Sequence, residues 1–239
     1  MSRLRESLQA NLDRVHERIT KAARAAGRLE SEVALVAVSK AFPGEAVLAA
    51  VGCGQRDFGE NYVQEAIDKI ARVRQAAPDA PVQWHFIGPI QSNKTRQIAE
   101  HFQWAQSVDR LKVAERLSQQ RPEDQPALNV LLQVNISGED TKSGVATDEV
   151  APLAAEVARL PRLVLRGLMA VPEPESEPGR QVEPLLRMKA LFDSLRPLHP
   201  RWDTLSLGMS ADLEAAVAAG STMVRVGTAI FGAREGSAA

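Results

Sequence analysis

Apolar and polar positions follow two patterns that alternate along this 239-residue chain. Short, continuous apolar runs of about four to eight residues alternate with stretches whose apolar residues recur every three or four positions. The first pattern is typical of strands covered on both faces, and the second is typical of amphipathic helices. The alternation repeats about eight times, which predicts successive βα units and therefore a parallel sheet.

The predicted strands and helices fit one barrel. The strands are 33–38, 57–58, 83–87, 104–108, 128–136, 163–171, 204–207 and 223–230. The helices are 2–26, 45–51, 61–76, 91–101, 110–120, 147–159, 180–196 and 211–219. Eight units in this length predict a single-domain TIM (β/α)8 barrel over residues 1–239, with an extra N-terminal helix. A doubly wound open sheet is the main alternative, because the number of units alone does not decide between them.

Two segments mark boundaries within this pattern. Gly27 follows the first predicted helix and is expected to be its C′ residue. The proline- and glutamate-rich segment 172–179 follows a predicted strand, so we interpret it as a mobile loop and not as a domain boundary.

Composition removes several classes of function. A net charge of −1 disfavours nucleic acid as a partner. The single cysteine, Cys53, excludes an internal disulfide, and the scattered histidines indicate no metal site. Charged residues interrupt the start of the chain, and no apolar run approaches the ~18 residues of a membrane span, so we expect a cytoplasmic protein without a membrane partner.

Polar residues and glycines cluster directly after the predicted strands. In a parallel barrel all these strand ends open on one face, where the sites of TIM-barrel proteins lie. The clustered residues are Ser39-Lys40, Gly59 to Tyr62, Gly88 to Lys94, Asp109-Arg110, Asn135, Pro172, Gly208 to Ser210, Arg225 and Gly227-Thr228.

Lys40 is the residue of this group with the clearest chemistry. It follows the apolar run Val36-Ala37-Val38 after one serine, so it is predicted to emerge from the barrel interior. Desolvation favours the neutral, nucleophilic amine of a lysine. Such an amine condenses with aldehydes. On this residue alone, a solvent-exposed lysine at the barrel rim is an equally good interpretation.

The ends of the last two strands are suited to a phosphate group. Gly208, Ser210, Gly227 and Thr228 offer hydroxyls and unhindered backbone N–H groups. Ser210 also stands at the start of the predicted helix 211–219, where the helix dipole favours an anion. The loops after strands seven and eight form the recurrent phosphate site of this fold. Ordinary turn and capping roles are the alternative for each loop taken alone.

An aldehyde-reactive lysine and a phosphate site in one barrel mouth predict pyridoxal 5′-phosphate (PLP) as the cofactor. Arg225, in the last strand, is placed to face the pyridine nitrogen of that cofactor. A guanidinium donates a hydrogen bond but does not readily give up a proton, so the ring would be a weaker electron sink than one paired with aspartate. The alternative for Arg225 is an ion pair inside the barrel.

Several motifs together resemble one known family. The chain is similar to the pyridoxal phosphate homeostasis protein family over nearly its whole length. The motifs are Val36 to Lys40, Phe58 to Tyr62, His85 to Lys94, Gln133 to Asn135, Lys142 to Gly144, Arg166 to Met169, Leu207 to Asp212 and Arg225 to Gly232.

This resemblance implies a fold type III PLP barrel, similar to the N-terminal domain of alanine racemase. It implies that Lys40 forms the internal aldimine and that Asn61 lies beside the cofactor. It further implies that Ser210, Gly227 and Thr228 hold the phosphate while Arg225 approaches the ring nitrogen. The family is understood as a carrier and regulator of PLP in vitamin B6 homeostasis, without an established catalytic activity.

A PLP carrier without turnover is therefore the expected function, and an amino-acid racemase or decarboxylase is the alternative. Only residues 233–239 follow Gly232, so we expect no second β domain of the kind with which those enzymes dimerise and close their sites. A two-base racemase also needs a second proton carrier, and for the single tyrosine, Tyr62, we expect a packing or hydrogen-bonding role. We expect a monomer that passes PLP to PLP-dependent apo-enzymes.

Overall fold

Eight parallel strands form a closed barrel in which each strand pairs with the next along the chain. The computed structural model describes residues 2–138, 143–172 and 182–233. The last strand pairs in parallel with the first, with Val36 opposite Arg225, and this pairing closes the barrel. The predicted (β/α)8 barrel is confirmed, and the open-sheet alternative is wrong.

The strands and helices agree with the predicted ones, mostly with slightly shorter bounds. The strands are β1 Ala34–Val38, β2 Asp57–Glu60, β3 Gln83–Phe86, β4 Trp104–Val108, β5 Leu128–Gln133, β6 Leu163–Met169, β7 Thr204–Ser206 and β8 Met223–Val226. The α-helices of the described residues are α1 Ser2–Ala25, α2 Gly44–Gly52, α3 Val63–Ala76, α4 Thr95–His101, α5 Leu111–Gln120, α6 Val150–Val157, α7 Val182–Leu195, α8 Leu213–Ala218 and α9 Thr228–Phe231.

The end of the last predicted strand is wrong. Strand β8 stops at Val226, and Thr228–Phe231 forms the short helix α9 instead of a continuation of the strand. Gly227 turns the chain, and its carbonyl accepts hydrogen bonds from the N–H groups of Ile230 and Phe231, each at 2.9 Å. A short apolar run is compatible with a strand or with a buried helix, and periodicity does not separate the two.

The first helix ends as predicted, and the acidic loop lies mostly outside the described residues. Gly27 has a φ of 68°, and its N–H donates to Arg24 O at 3.0 Å. The Arg28 N–H donates to Ala23 O at 2.9 Å, which completes a Schellman motif. Of the segment 172–179, only Pro172 lies within the described residues, and the structure does not test its predicted mobility.

Two apolar cores hold the barrel and its helices together. A small cluster lies inside the barrel, and a larger one lies between the strands and the surrounding helices. The inner cluster consists of Val36, Trp104, Leu131, Met169 and Met223. Side chains alternate along a strand, so every second residue after Val36 and Met223 also faces inward. This alternation leads from Val36 to Lys40 and from Met223 to Arg225 and Gly227 at the barrel mouth.

Helix α1 packs on the outside of the barrel against α2, α8 and α9. Its apolar stripe, which includes Leu8, Leu12, Val15 and Ile19, is buried there. Its charged residues therefore form the outer face of a packed helix. Among the helices of the described ranges, none combines the length and the apolar character needed to cross a membrane.

Candidate functional site

A cavity of about 620 Å³ opens at the carboxyl ends of the strands. This volume is within the range of small-molecule sites in proteins. The six predicted site residues all contribute to its wall, namely Lys40, Asn61, Ser210, Arg225, Gly227 and Thr228. Lys40 and Arg225 are the charged residues among the described lining, and both are cationic, so the cavity favours an anionic ligand. The described residues contain no group of His, Cys, Asp and Glu side chains arranged to hold a metal.

Lys40 lies in a tight turn at the end of β1 and is half-buried in the cavity wall. The turn is closed by the Phe42 N–H, which donates to Ser39 O at 3.0 Å. Ala41 has a φ of 65°, a conformation that costs an L-residue roughly 1–2 kcal/mol. Its N–H donates to Glu65 Oε1 at 2.6 Å, which helps to hold the strained backbone. Lys40 is therefore a pocket residue on a fixed turn and not a solvent-exposed rim lysine.

A buried ionic network lies directly beneath this turn. Lys69, on α3, donates to Ser39 O at 2.7 Å, to Glu60 Oε1 at 2.8 Å and to Glu65 Oε1 at 2.5 Å. These three bonds match the three protons of its ammonium group. The Ser39 hydroxyl also donates to Glu60 Oε1, at 2.6 Å. Burial raises the pKa of the Glu60 carboxyl, and the Lys69 ammonium opposes that rise.

Asn61 carries an acceptor that a ligand can use. Its Oδ1 is buried and has no hydrogen-bond partner among the described residues. An unpaired buried acceptor costs about 1–3 kcal/mol, which a donor on a bound molecule would offset. Gly88 packs against the Asn61 backbone so closely that a Cβ there would lie 2.5 Å from Asn61 O. The neighbouring Tyr62 is 60% exposed and does not line the cavity.

Arg225 forms the inner wall of the cavity and is only 4% exposed. Its Nη1 donates to Ser206 O at 2.8 Å and to Ser206 Oγ at 2.5 Å, and its Nη2 donates to Ala170 O at 2.8 Å. Burial lowers the pKa of Arg225 to about 10, and the nearby Asp212 opposes the shift. Within the described residues its hydrogen-bond partners are neutral, so the alternative of an interior ion pair is wrong.

The loops after β7 and β8 meet at the cavity edge. Thr228 Oγ1 donates to Ser210 Oγ at 3.2 Å, so the two hydroxyls lie side by side. The predicted helix 211–219 begins later than expected, at Leu213, so Ser210 lies in a turn before α8 and not at the helix start. The reason is a local hydrogen bond of 2.7 Å from the Met209 N–H to Asp212 Oδ1, which holds a turn over these residues.

Helix α1 is bonded to both of these loops. Arg18 Nη2 donates to Ser210 O at 2.9 Å, while its Nε donates to Glu214 Oε1 at 2.6 Å. Asn11 Nδ2 donates at 2.6 Å to the carbonyl oxygen of Ile230, which lies in α9. The extra N-terminal helix therefore fixes the positions of the two loops relative to each other.

Comparison with known proteins places the chain in a family. The model of the alanine racemase N-terminal domain matches residues 10–235. The pyridoxal phosphate homeostasis protein of Escherichia coli K12 is 56% identical over 225 residues, which cover 94% of this chain and 96% of that protein. The protein of the same name from Pseudomonas aeruginosa PAO1 is 56% identical over 229 residues, or 96% of each chain. This chain belongs to the pyridoxal phosphate homeostasis protein family.

Solved structures agree with this assignment. PipY of Synechococcus elongatus, determined with PLP bound, is 35% identical and superposes with a TM-score of 0.78 over 91% of this chain and all of that one. Alanine racemase of Clostridium difficile superposes with a TM-score of 0.75 over 97% of this chain and 58% of the racemase. At 15% identity, the racemase shows the shared fold alone.

Sequence analysis did not assign a role to Glu60, Glu65 or Lys69. Glu60 was part of a polar cluster after the predicted strand 57–58, and it is the last residue of β2, so its role depends on a partner on another element. A signal for Lys69 was nevertheless present. It lies next to Ile70 within the apolar stripe of α3, and Glu65 precedes it by four residues, a spacing that pairs a glutamate with a lysine on a helix.

The buried network predicts a large loss of stability on replacement of Lys69. The change Lys69→Met leaves the buried Glu60 without a counter-charge, and we expect the free energy of unfolding to fall by about 3–5 kcal/mol. Urea denaturation measures this loss. The matched control is Lys21→Met, which removes an exposed pair with Glu17 at the same spacing and should leave the free energy of unfolding almost unchanged. Equal losses for the two variants would contradict the network.

Proposed function

We propose that this protein binds PLP covalently through Lys40 and acts in vitamin B6 homeostasis as a carrier or regulator without catalytic turnover. One observation carries the proposal. A single cavity holds an amine, a guanidinium and two adjacent hydroxyls, and its described lining contains no carboxylate. That set of groups fits a ligand with an aldehyde, a ring nitrogen and a phosphate.

Relatives support this assignment. The homologues from E. coli and P. aeruginosa carry the name pyridoxal phosphate homeostasis protein and match this chain almost end to end. PipY was solved with PLP bound, and the match includes the whole of that chain. We extend both properties, PLP binding and a role in PLP homeostasis, to the present protein.

Each lining residue has a role that follows from its chemistry. When bound, PLP supplies an electrophilic aldehyde and an electron-withdrawing ring. Lys40 would hold the cofactor through the aldehyde carbon, since a deprotonated amine condenses with an aldehyde and water leaves. Arg225 would donate a hydrogen bond to the ring nitrogen, and Asn61 would lie beside the ring. Ser210, Gly227 and Thr228 would hold the phosphate near the start of α9, where first-turn N–H groups lack partners within the helix.

The same lining argues against turnover as a racemase or decarboxylase. Such chemistry needs positioned groups that take up and return protons near the reacting carbon. Apart from Lys40, the described lining holds no His, Asp, Glu, Cys or Tyr side chain. Tyr62 extends into solvent instead. Enzymatic turnover is the alternative function, and it would need a proton carrier from outside the described lining of the cavity.

The compartment and the oligomeric state belong to the same proposal. We expect the protein to be cytoplasmic, since PLP-dependent apo-enzymes that receive the cofactor are found there. We also expect it to be a monomer. The recipients are proteins that bind PLP more tightly than this carrier does. A reducing compartment also suits the unpaired Cys53.

The covalent role of Lys40 is tested by absorbance. The wild-type protein incubated with PLP should show a visible or near-ultraviolet band that differs from the spectrum of free PLP, and Lys40→Ala should lose this band. The control is Lys94→Ala, which removes a lysine on the same barrel face that does not line the cavity. An unchanged spectrum for Lys40→Ala would show that another group holds the cofactor.

The phosphate loops are tested by retention of the cofactor. The double change Ser210→Ala and Thr228→Ala removes two hydroxyl donors and should raise the dissociation rate of PLP about 100-fold or more, since each lost bond to a charged group costs about 1.5–3 kcal/mol. Dialysis followed by absorbance measures the rate. The exposed pair Ser194→Ala and Thr147→Ala is the control, and undiminished retention in the first variant would place the phosphate elsewhere.

Carrier and enzyme are separated by two measurements on the loaded protein. We expect the loaded protein to transfer PLP to an apo-enzyme. The recovery of that enzyme's activity measures the transfer, and an equal amount of free PLP is the comparison. We also expect no racemisation or decarboxylation of common amino acids. Turnover in the ordinary enzyme range, roughly 1–1000 per second, would overturn the carrier assignment.

A further inference from the structure

Five side chains form a continuous hydrogen-bonded chain across the barrel interior. It begins at the cavity with Arg225 Nη1, which donates to Ser206 Oγ at 2.5 Å. Ser206 Oγ donates to Gln106 Oε1 at 2.8 Å. Gln106 Nε2 lies 2.9 Å from His85 Nδ1, and His85 Nε2 lies 2.9 Å from Asp57 Oδ1. The chain thus links five different strands.

The two ends of this chain fix the direction of every bond in it. Arg225 has only donors, so Ser206 Oγ must accept from it and use its single proton toward Gln106 Oε1. The Gln106 amide group then faces His85, which makes Nδ1 an acceptor. The proton of a neutral His85 is therefore on Nε2, directed at the Asp57 carboxylate, which only accepts.

The surroundings favour a neutral His85. Its side chain is fully buried and stacks on Trp104, with ring centroids 5.2 Å apart. Burial lowers the pKa of His85, and the hydrogen bond and charge of Asp57 oppose that shift. A proton on Nδ1 would also meet the Gln106 N–H groups, since Gln106 directs its oxygen at Ser206. The arrangement is stable only with one tautomer of His85.

The far end of the chain lies at the opposite face of the barrel from the cavity. Asp57 is the first residue of β2, and its side chain is 34% exposed. The chain therefore joins a partly solvated carboxylate on the amino-terminal face to a buried guanidinium at the cavity. The two charges are of opposite sign, and the neutral groups between them are all oriented in one direction.

We propose that Ser206, Gln106 and His85 are positioning residues that hold the Arg225 guanidinium and couple it to the Asp57 carboxylate, so that Asp57 sets the electrostatic environment of the bound ring. This inference rests on the proposed binding of PLP at Arg225. The other charged groups facing this part of the cavity are Lys40, at the end of β1, and Asp212, before α8. Beyond Trp104, Arg166 lies over the indole ring, 4.9 Å from its centroid, and pairs with Asp203.

The test is the pH profile of the absorbance of the PLP-loaded, full-length protein. Asp57→Asn keeps an acceptor for His85 Nε2 but removes the negative charge. Loss of the negative charge disfavours protonation of the bound chromophore and so lowers its pKa. The pH profile of the absorbance should therefore move to lower pH by about 0.5–1 unit, the effect of one charge acting across a protein interior. Lys40 still holds the cofactor, and the band itself should persist.

The matched control is Asp203→Asn. Asp203 lies immediately before β7 on the same amino-terminal face. It is bonded to Arg166 and not to the hydrogen-bonded series from Asp57 to Arg225. We expect its profile to move by less than ~0.2 unit, as for a solvent-screened charge. Equal shifts for Asp57→Asn and Asp203→Asn would overturn the coupling, as would an Asp57→Asn profile that coincides with the wild type.

A double-mutant cycle separates the chain from a charge effect through space. Ser206→Ala breaks the chain next to Arg225 and leaves Asp57 in place. If the coupling passes through the chain, Asp57→Asn should move the profile much less in the Ser206→Ala background than in the wild type. The same shift in both backgrounds would contradict the proposal. Circular dichroism melting confirms that each variant is folded.

A measurement on the protein without cofactor tests the hydrogen-bonded series of side chains by itself. Nitrogen NMR of His85 in the unloaded protein should show the neutral tautomer protonated on Nε2, and the opposite tautomer or an imidazolium at neutral pH would overturn the chain. If the wild-type protein acquires no absorbance band with PLP, the proposed function fails while this NMR result still decides the geometry. If the band forms and Asp57→Asn leaves its pH profile unchanged, the coupling alone fails.

Discussion

The pairing of β8 with β1 is the constraint on which the candidate site depends. It sets Val36 opposite Arg225 and Ala37 opposite Val226, so residues from the two ends of the chain become neighbours. Inward-facing positions then continue to Lys40 on one strand and Gly227 on the other. A slip of one residue in this register would turn the inward side chains of one strand outward. The amine and the phosphate-suited loop share one cavity because the register excludes that slip.

Burying cations in an apolar barrel creates a second constraint, and the structure meets it in two ways. Lys69 is paired with two carboxylates and one carbonyl beneath the Lys40 turn. Arg225 instead bonds to neutral oxygens, and the nearest link to a carboxylate among its bonded partners runs through Gln106 and His85 to Asp57. A directly paired guanidinium would have its charge largely compensated. Arg225 therefore keeps a positive field directed at the cavity.

Sequence periodicity predicted the successive βα units and the polar clusters that follow the strands, because side-chain alternation is a local property of the chain; the family resemblance added the roles of the cavity residues. It did not predict the partners of those residues. Lys69 and Glu60 meet across α3 and β2, and His85 was considered among the scattered histidines and at the start of one family motif, without an assigned partner. The errors at Thr228 and Ser210 have a local cause, since a short apolar run or a turn before a helix is decided by single hydrogen bonds. Contacts between distant residues leave no periodic signal.

Exposure changes along the cavity in a way that suits a carrier. Thr228 is exposed and Ser210 is half-buried, whereas Arg225 is almost fully buried. A doubly charged phosphate bound at the exposed end would keep part of its hydration, so its binding would cost little desolvation, while the ring would lie near the buried Arg225. Helix α1 bonds to both of the loops at this exposed end. If Lys40 holds the cofactor as proposed, release would depend on hydrolysis of that bond, at a residue that lines the cavity and is only half-buried.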